Sequence, residues 1–182
     1  CNQIAAAVHC GPGDDIIAER SAHIIGVEAG GISVLARAGA YPIDGERGVF
    51  TAEQAEAAIR PPRRYAPRSR VISIEQTANL KGGTVWPLET IRSVDEVAKR
   101  HGLKMHMDGA RLLNAVVATG VSAKDYSKGF DSVWLDLSKG LGCPIGAVLA
   151  GSSQFIESAW RWKQRIGGAM RQAGIFAAAG LY

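Results

Sequence analysis

From residue 71 to residue 150 the sequence alternates short apolar runs with stretches of helical periodicity, and this alternation limits the fold more than any single motif. Residues 71–75 (Val-Ile-Ser-Ile-Glu) are rich in β-branched side chains and read as a buried strand. Past a loop at Gly82-Gly83, Pro87-Leu88 introduces a helix with Ile91, Val94, Val97 and Ala98 on one stripe, ending at His101-Gly102. Residues 103–107 read as the next strand, 110–119 as a helix, and 132–135 and 145–150 as two further strands. A long helix with Phe155, Ala159, Trp162 and Ile166 in register follows. The first third is less regular. Residues 4–8 read as the end of a helix stopped by Gly11-Pro12-Gly13, and 15–19 as a strand. Residues 21–28 are ambiguous, 32–36 read as a second strand, and 39–48 as a loop. Thr51 and Gln54 have capping-box spacing ahead of a helix over 52–59.

Strands alternating with helices imply an α/β domain, a mostly parallel sheet covered by helices. The 182 residues suffice for one domain, and no repeat or two-domain boundary interrupts them. Ligands of such sheets sit beyond the carboxyl ends of the strands. Three polar clusters fall at such ends: residues 75–79, 108–111 and 138–139.

Composition excludes several classes of function. A net charge of +4 is too small to argue for nucleic acid. The basic run over residues 60–70 is broken by Pro61, Pro62 and Pro67 and reads as a solvated loop. Cys1, Cys10 and Cys143 form neither a disulfide framework nor a metal-ligand spacing, so a reducing, cytoplasmic location is expected. No apolar run approaches membrane-spanning length. The chain enters a helical pattern directly after Cys1-Asn2-Gln3 and stops on an apolar run at Leu181-Tyr182, so residues 1–182 are expected to be part of a longer protein.

Lys139 follows an apolar strand within Ser138-Lys139-Gly140-Leu141-Gly142, where glycines let backbone approach a bulky ligand. Its amine can serve covalent chemistry with a carbonyl group, or the loop can simply present a surface lysine or hold a phosphate. Asp108 either caps the following helix or partners a protonated ring nitrogen. Arg111 either pairs with a nearby carboxylate or offers its planar fork to a substrate carboxylate. His23 stands alone among apolar residues, and no histidine has zinc-like spacing, so no metal is expected. Cys143 reads as a packed thiol. Trp160, Trp162, Lys163 and Arg165 read as a helix with one core stripe and one charged face.

Taken together, residues 107–112 (Met-Asp-Gly-Ala-Arg-Leu) and 137–146 (Leu-Ser-Lys-Gly-Leu-Gly-Cys-Pro-Ile-Gly) are similar to the low-specificity L-threonine aldolases, pyridoxal-phosphate enzymes of the aspartate-aminotransferase fold type. Ser21-Ala22-His23, Glu28-Ala29-Gly30-Gly31 and residues 167–174 agree in order and spacing. The resemblance implies that residues 1–182 belong to the large, cofactor-binding domain, with the phosphate-loop segment and the smaller C-terminal domain lying outside them. It implies pyridoxal 5'-phosphate attached at Lys139, Asp108 on the pyridine nitrogen, His23 stacked on the ring and Arg111 on the substrate carboxylate. Arg171 would lie near the site or a subunit interface. A β-hydroxy amino acid such as threonine or allo-threonine would be cleaved to glycine and an aldehyde by a homodimer or homotetramer. The family often has a histidine where Ala78 stands, which leaves the base to His23 or a water. Another lyase or an aminotransferase of the same fold type, or an inactive paralogue, are the alternatives.

Overall fold

In the computed structural model, which describes residues 1–182, the apolar run at 71–75 is the inner half of strand β3 (Arg68–Glu75), near the middle of a six-stranded sheet. β1 (Asp14–Glu19) and β4 (Lys104–Gly109) flank it. β2 (Gly39–Ile43) lies outside β1, while β5 (Ser132–Asp136) and then β6 (Ala147–Gly151) lie outside β4. The first five strands run parallel, and β6 returns antiparallel against β5.

Two apolar layers cover the inner strands, and side chains along β1 alternate between them. Ile17 faces the layer that contains Ile72, Ile74, Met105 and Met107. Ile16 and Ala18 face the opposite one with Val71. This period of two puts every second side chain on the same face. On the first face lie α3 (Ala52–Ala58), α4 (Leu88–His101), α5 (Leu112–Thr119) and the short α6 (Ala123–Ser127). The other face is covered by α1 (Asn2–His9), α2 (His23–Gly26) and a π-helical turn, Ile32–Ala36. α7 (Ser153–Arg165) packs on α1, and α8 (Gly174–Leu181) ends the chain.

The α4 stripe is buried as its spacing requires, with Ile91, Val94, Val97 and Ala98 all inside. Each of the larger three contributes about 1.5–3 kcal/mol by leaving water. Gly102 ends the helix in the left-handed conformation (φ 65°) that a glycine adopts without strain. Thr51 and Gln54 form the expected capping box.

Several local expectations are corrected. Residues 32–36 are helical rather than extended, because Ile32 and Ala36, four apart, both bury against α1 while Val34 faces water. The strand comes instead from the stretch read as a loop, at Gly39–Ile43. It is an edge strand, where Pro42 is tolerated. The ambiguous segment 21–28 contains the one-turn α2, and the basic loop gives way to β3 already at Arg68. α5 starts at Leu112, so Ala110 and Arg111 lie before it. The sheet is not covered throughout, since β6 is largely exposed, Val148 included. On α7 only Phe155 and Ala159 are buried; Trp160 and Ile166 face water. No helix is long and apolar enough to cross a membrane.

Candidate active site

The carboxyl ends of β3, β4 and β5 converge on one cavity of about 310 Å³, where the polar clusters were expected to meet. Its walls include His23, Glu28, Glu75, Asp108, Arg111 and Lys139. β4 and β5 meet closely there. A Cβ on Gly109 would stand 2.3 Å from the Trp134 carbonyl oxygen, so only glycine lets the backbone turn away directly after Asp108.

Asp108 is buried, pairs in register with Trp134 and accepts the Ala110 N–H at 3.0 Å. Its other oxygen accepts from the Asn2 side-chain amide at 2.7 Å. Burial pushes its pKa above the usual carboxylate range, against the pull of those two donors. Contrary to the helix-cap reading, it does not cap α5, whose flanking residue is Arg111. Arg111 has no carboxylate within ion-pair distance. Arg111 lines the cavity without an ion-pair partner, contrary to the reading that paired it with a neighbouring carboxylate.

Lys139 sits on the loop after β5, its Nζ 2.9 Å from Asp136 Oδ2 and 5.3 Å from the centre of the Trp134 ring. Asp136 also accepts from the Ser138 backbone and hydroxyl and from the Lys139 N–H, which shapes the loop. Burial would raise the Asp136 pKa, but the bonds from Ser138 and Lys139 hold it below the usual range.

His23 begins α2, with Nδ1 2.7 Å from Glu28 Oε1. Glu28 also accepts from Asn2 at 2.6 Å and from Gln3. Burial works against its charge, yet the bonds from Asn2, His23 and Gln3 hold its pKa low. Because Glu28 is an acceptor, His23 Nδ1 carries a proton, which in the neutral ring leaves the lone pair on Nε2. Glu75 accepts the His23 backbone N–H at 3.2 Å. Burial, then the nearby Asp108 charge, push its pKa up to about 7.

The cavity thus brings together Lys139, Asp108, Arg111 and His23, four of the five residues singled out from the sequence. Arg171 is exposed in the turn between α7 and α8 and does not line it. Ala78 is buried against the Gly48 turn, away from the wall. Sequence reasoning missed Asn2 and Trp134. It noted Glu28 and Glu75 only as members of motifs, and nothing local to Asn2 signals that its amide joins two carboxylates. Ligating atoms of His23, Glu28 and Asp108 lie within 4.8 Å of one another, a grouping that residue spacing did not suggest. Hydrogen bonds from Asn2 and His23 already occupy these carboxylates.

Comparison with known proteins adds an independent finding. The family model described as beta-eliminating lyase matches residues 1–182. Low-specificity L-threonine aldolase 1 of Arabidopsis thaliana is 43% identical over 99% of this chain and 51% of its own. The chain spans about half the length of the curated relatives it matches. Among solved structures, a putative L-allo-threonine aldolase from Listeria monocytogenes superposes with a TM-score of 0.79 at 26% identity, over 91% of this chain and 45% of that one. A Thermus thermophilus aspartate aminotransferase tetra mutant (TM-score 0.71, 14% identity, 98% and 48% covered) shares the fold.

Proposed function

Because the chain belongs to the beta-eliminating lyase family, we propose that it forms the cofactor-binding part of a pyridoxal-phosphate-dependent aldehyde-lyase. Its substrate is a β-hydroxy amino acid such as L-threonine or L-allo-threonine, cleaved to glycine and an aldehyde. One observation carries the reading: Lys139, a buried Asp108 and an unpaired Arg111 line a single cavity. This donor set fits the cofactor, with an amine for covalent attachment, an acceptor for the ring nitrogen and a histidine at the wall. When bound, the cofactor supplies an electron sink for charge developing at Cα.

The side chains divide the remaining work. Arg111 binds the substrate carboxylate through its planar fork and so fixes the direction of the Cα–Cβ bond. Asp108 holds the proton on the ring nitrogen. His23 Nε2 accepts the β-hydroxyl proton as the Cα–Cβ bond breaks and the aldehyde leaves. Glu28, bonded to Nδ1, stabilises the positive charge the ring then carries. A proton delivered to Cα completes glycine.

Incubating the full-length protein with L-threonine tests this reading: glycine and acetaldehyde form in equal amounts. Ammonia and a keto acid in their place would assign β-elimination. Asp108→Ala abolishes most turnover and changes cofactor absorption while the circular dichroism of the fold stays the same. The proposal extends to a cytoplasmic location, supported by three free cysteines, and to a homodimer or homotetramer, supported by the exposed apolar side chains Ile175 and Leu181 of α8.

A further inference from the structure

Behind Asp108, a chain of polar side chains, buried at Asn2, His106 and Ser132 and half-buried at His9, crosses from the cavity to the far end of the sheet. Asn2 uses all its hydrogen-bonding capacity there. Its amide nitrogen donates to Asp108 Oδ2 at 2.7 Å and to Glu28 Oε1 at 2.6 Å. Its oxygen meets Trp134 Nε1 at 2.6 Å and His106 Nε2 at 3.0 Å. An indole nitrogen can only donate and a carboxylate can only accept, so the orientation of the Asn2 amide is fixed.

That orientation fixes the next link. His106 must carry its proton on Nε2 to donate to the Asn2 oxygen. Its burial is complete and drives its pKa down to about 3, so it is neutral. Nδ1 is then a bare acceptor for the Ser132 hydroxyl, 2.8 Å away. Ser132 has spent its one proton and accepts from His9 Nε2 at 2.7 Å. Burial also keeps His9 neutral, with its pKa lowered to about 4. Its ring stacks on Phe155 and opens onto a separate crevice beside Lys104 and Asp131.

The donors of His9, Ser132 and His106 and one of the two amide protons of Asn2 are therefore aligned towards Asp108. Hydrogen bonds aligned head to tail polarise one another, and here the positive end of the series meets the carboxylate. This opposes the desolvation that favours neutral Asp108. We propose that His106, locked as its Nε2–H tautomer and acting through Asn2, is a positioning residue that keeps Asp108 ionised and aimed at the ring nitrogen of the cofactor. The role rests on the cofactor assignment made above, but the tautomer and donor direction belong to the protein alone.

Nitrogen-15 NMR of the full-length apoprotein reads the tautomer directly. His106 shows a protonated Nε2 and a bare Nδ1 at neutral pH; a protonated Nδ1 or an imidazolium overturns the relay. Cofactor titration of variants reads its consequence. His106→Leu weakens pyridoxal-phosphate binding about tenfold and shifts its absorption. His106→Gln, which can donate to Asn2 and accept from Ser132, restores affinity to within about threefold. Ser132→Ala is a milder break and weakens binding about two- to fivefold. Wild-type affinity and spectrum in folded His106→Leu or, if that variant does not fold, in Ser132→Ala overturn the proposal. The outcome is separable from the reaction assignment. The predicted tautomer in a protein that does not cleave threonine sinks only the aldolase reading, and the wrong tautomer in an active aldolase sinks only the relay.

Discussion

Lys139 Nζ lies 2.9 Å from the carboxylate of Asp136, three residues earlier at the end of β5. The end of β5 therefore supplies the partner of the amine that the following loop presents, and the amine lies 5.3 Å from the centre of the Trp134 ring. Borohydride reduction of the cofactor-bound protein, followed by peptide mapping, should mark Lys139. Lys139→Ala should bind the cofactor only non-covalently and lose turnover by roughly a hundredfold or more. A label on Lys81, Lys104 or Lys163 would remove the assignment.

Arg111 lines the cavity without a carboxylate partner. Arg111→Lys keeps the charge but loses the planar fork that grips a carboxylate with two parallel bonds. Steady-state kinetics should show KM for the amino acid rising about tenfold, or about 1.4 kcal/mol of binding, with a smaller change in kcat. An unchanged KM would mean that another group holds the substrate carboxylate.

Glu75 makes stability depend on pH in a definite direction. Its folded pKa is raised from 4.5 to about 7, so the buried carboxyl favours folding while protonated. That contribution is complete below about pH 4.5 and is lost as pH rises through about 7, to a total of order 3 kcal/mol. Glu75→Gln removes the loss. Denaturant unfolding of the apoprotein should find this variant more stable than wild type above pH 7, with the difference shrinking towards pH 4.5. A constant difference across that range would show that Glu75 does not titrate between the two limits.

Gly109 holds β4 against the Trp134 carbonyl. Gly109→Ala forces the two strands apart, costs about 1–3 kcal/mol and shifts Asp108, so both the urea midpoint and cofactor affinity should fall. Gly26→Ala is the control: its added Cβ meets nothing within 4 Å, and its effect should stay within about 0.5 kcal/mol. Equal behaviour of the two variants would show that the close approach at Gly109 carries no strain.

What could be read without the structure depended on how far apart in the chain the deciding contacts lie. The α4 stripe, the capping box at Thr51 and the strand at residues 71–75 follow from side chains within a few positions of one another, and all three formed as expected. Residues 32–36 suit a strand through the β-branched Ile32 and Val34, and only packing under α1 makes Ile32 and Ala36 one face of a helical turn. The polar clusters at the strand ends pointed to one site because parallel strands place their carboxyl ends on one side. Lys139, Asp108 and Arg111 could therefore be singled out as candidates from these clusters, whereas His23, alone among apolar residues, is named only by the resemblance to the family.

The sequence by itself determined the alternation of strand and helix, the polar strand ends and the residue types able to perform the chemistry, since periodicity and motif are local properties of the chain. Tertiary structure alone decided which groups modify one another. Asn2 lies 106 residues from Asp108 and 132 from Trp134, yet its amide joins them. Ser132 is 123 residues from His9, and their bond extends the same line. Protonation and donor direction depend on burial and on three-dimensional neighbours, and the sheet brings those neighbours together only after its strands have paired.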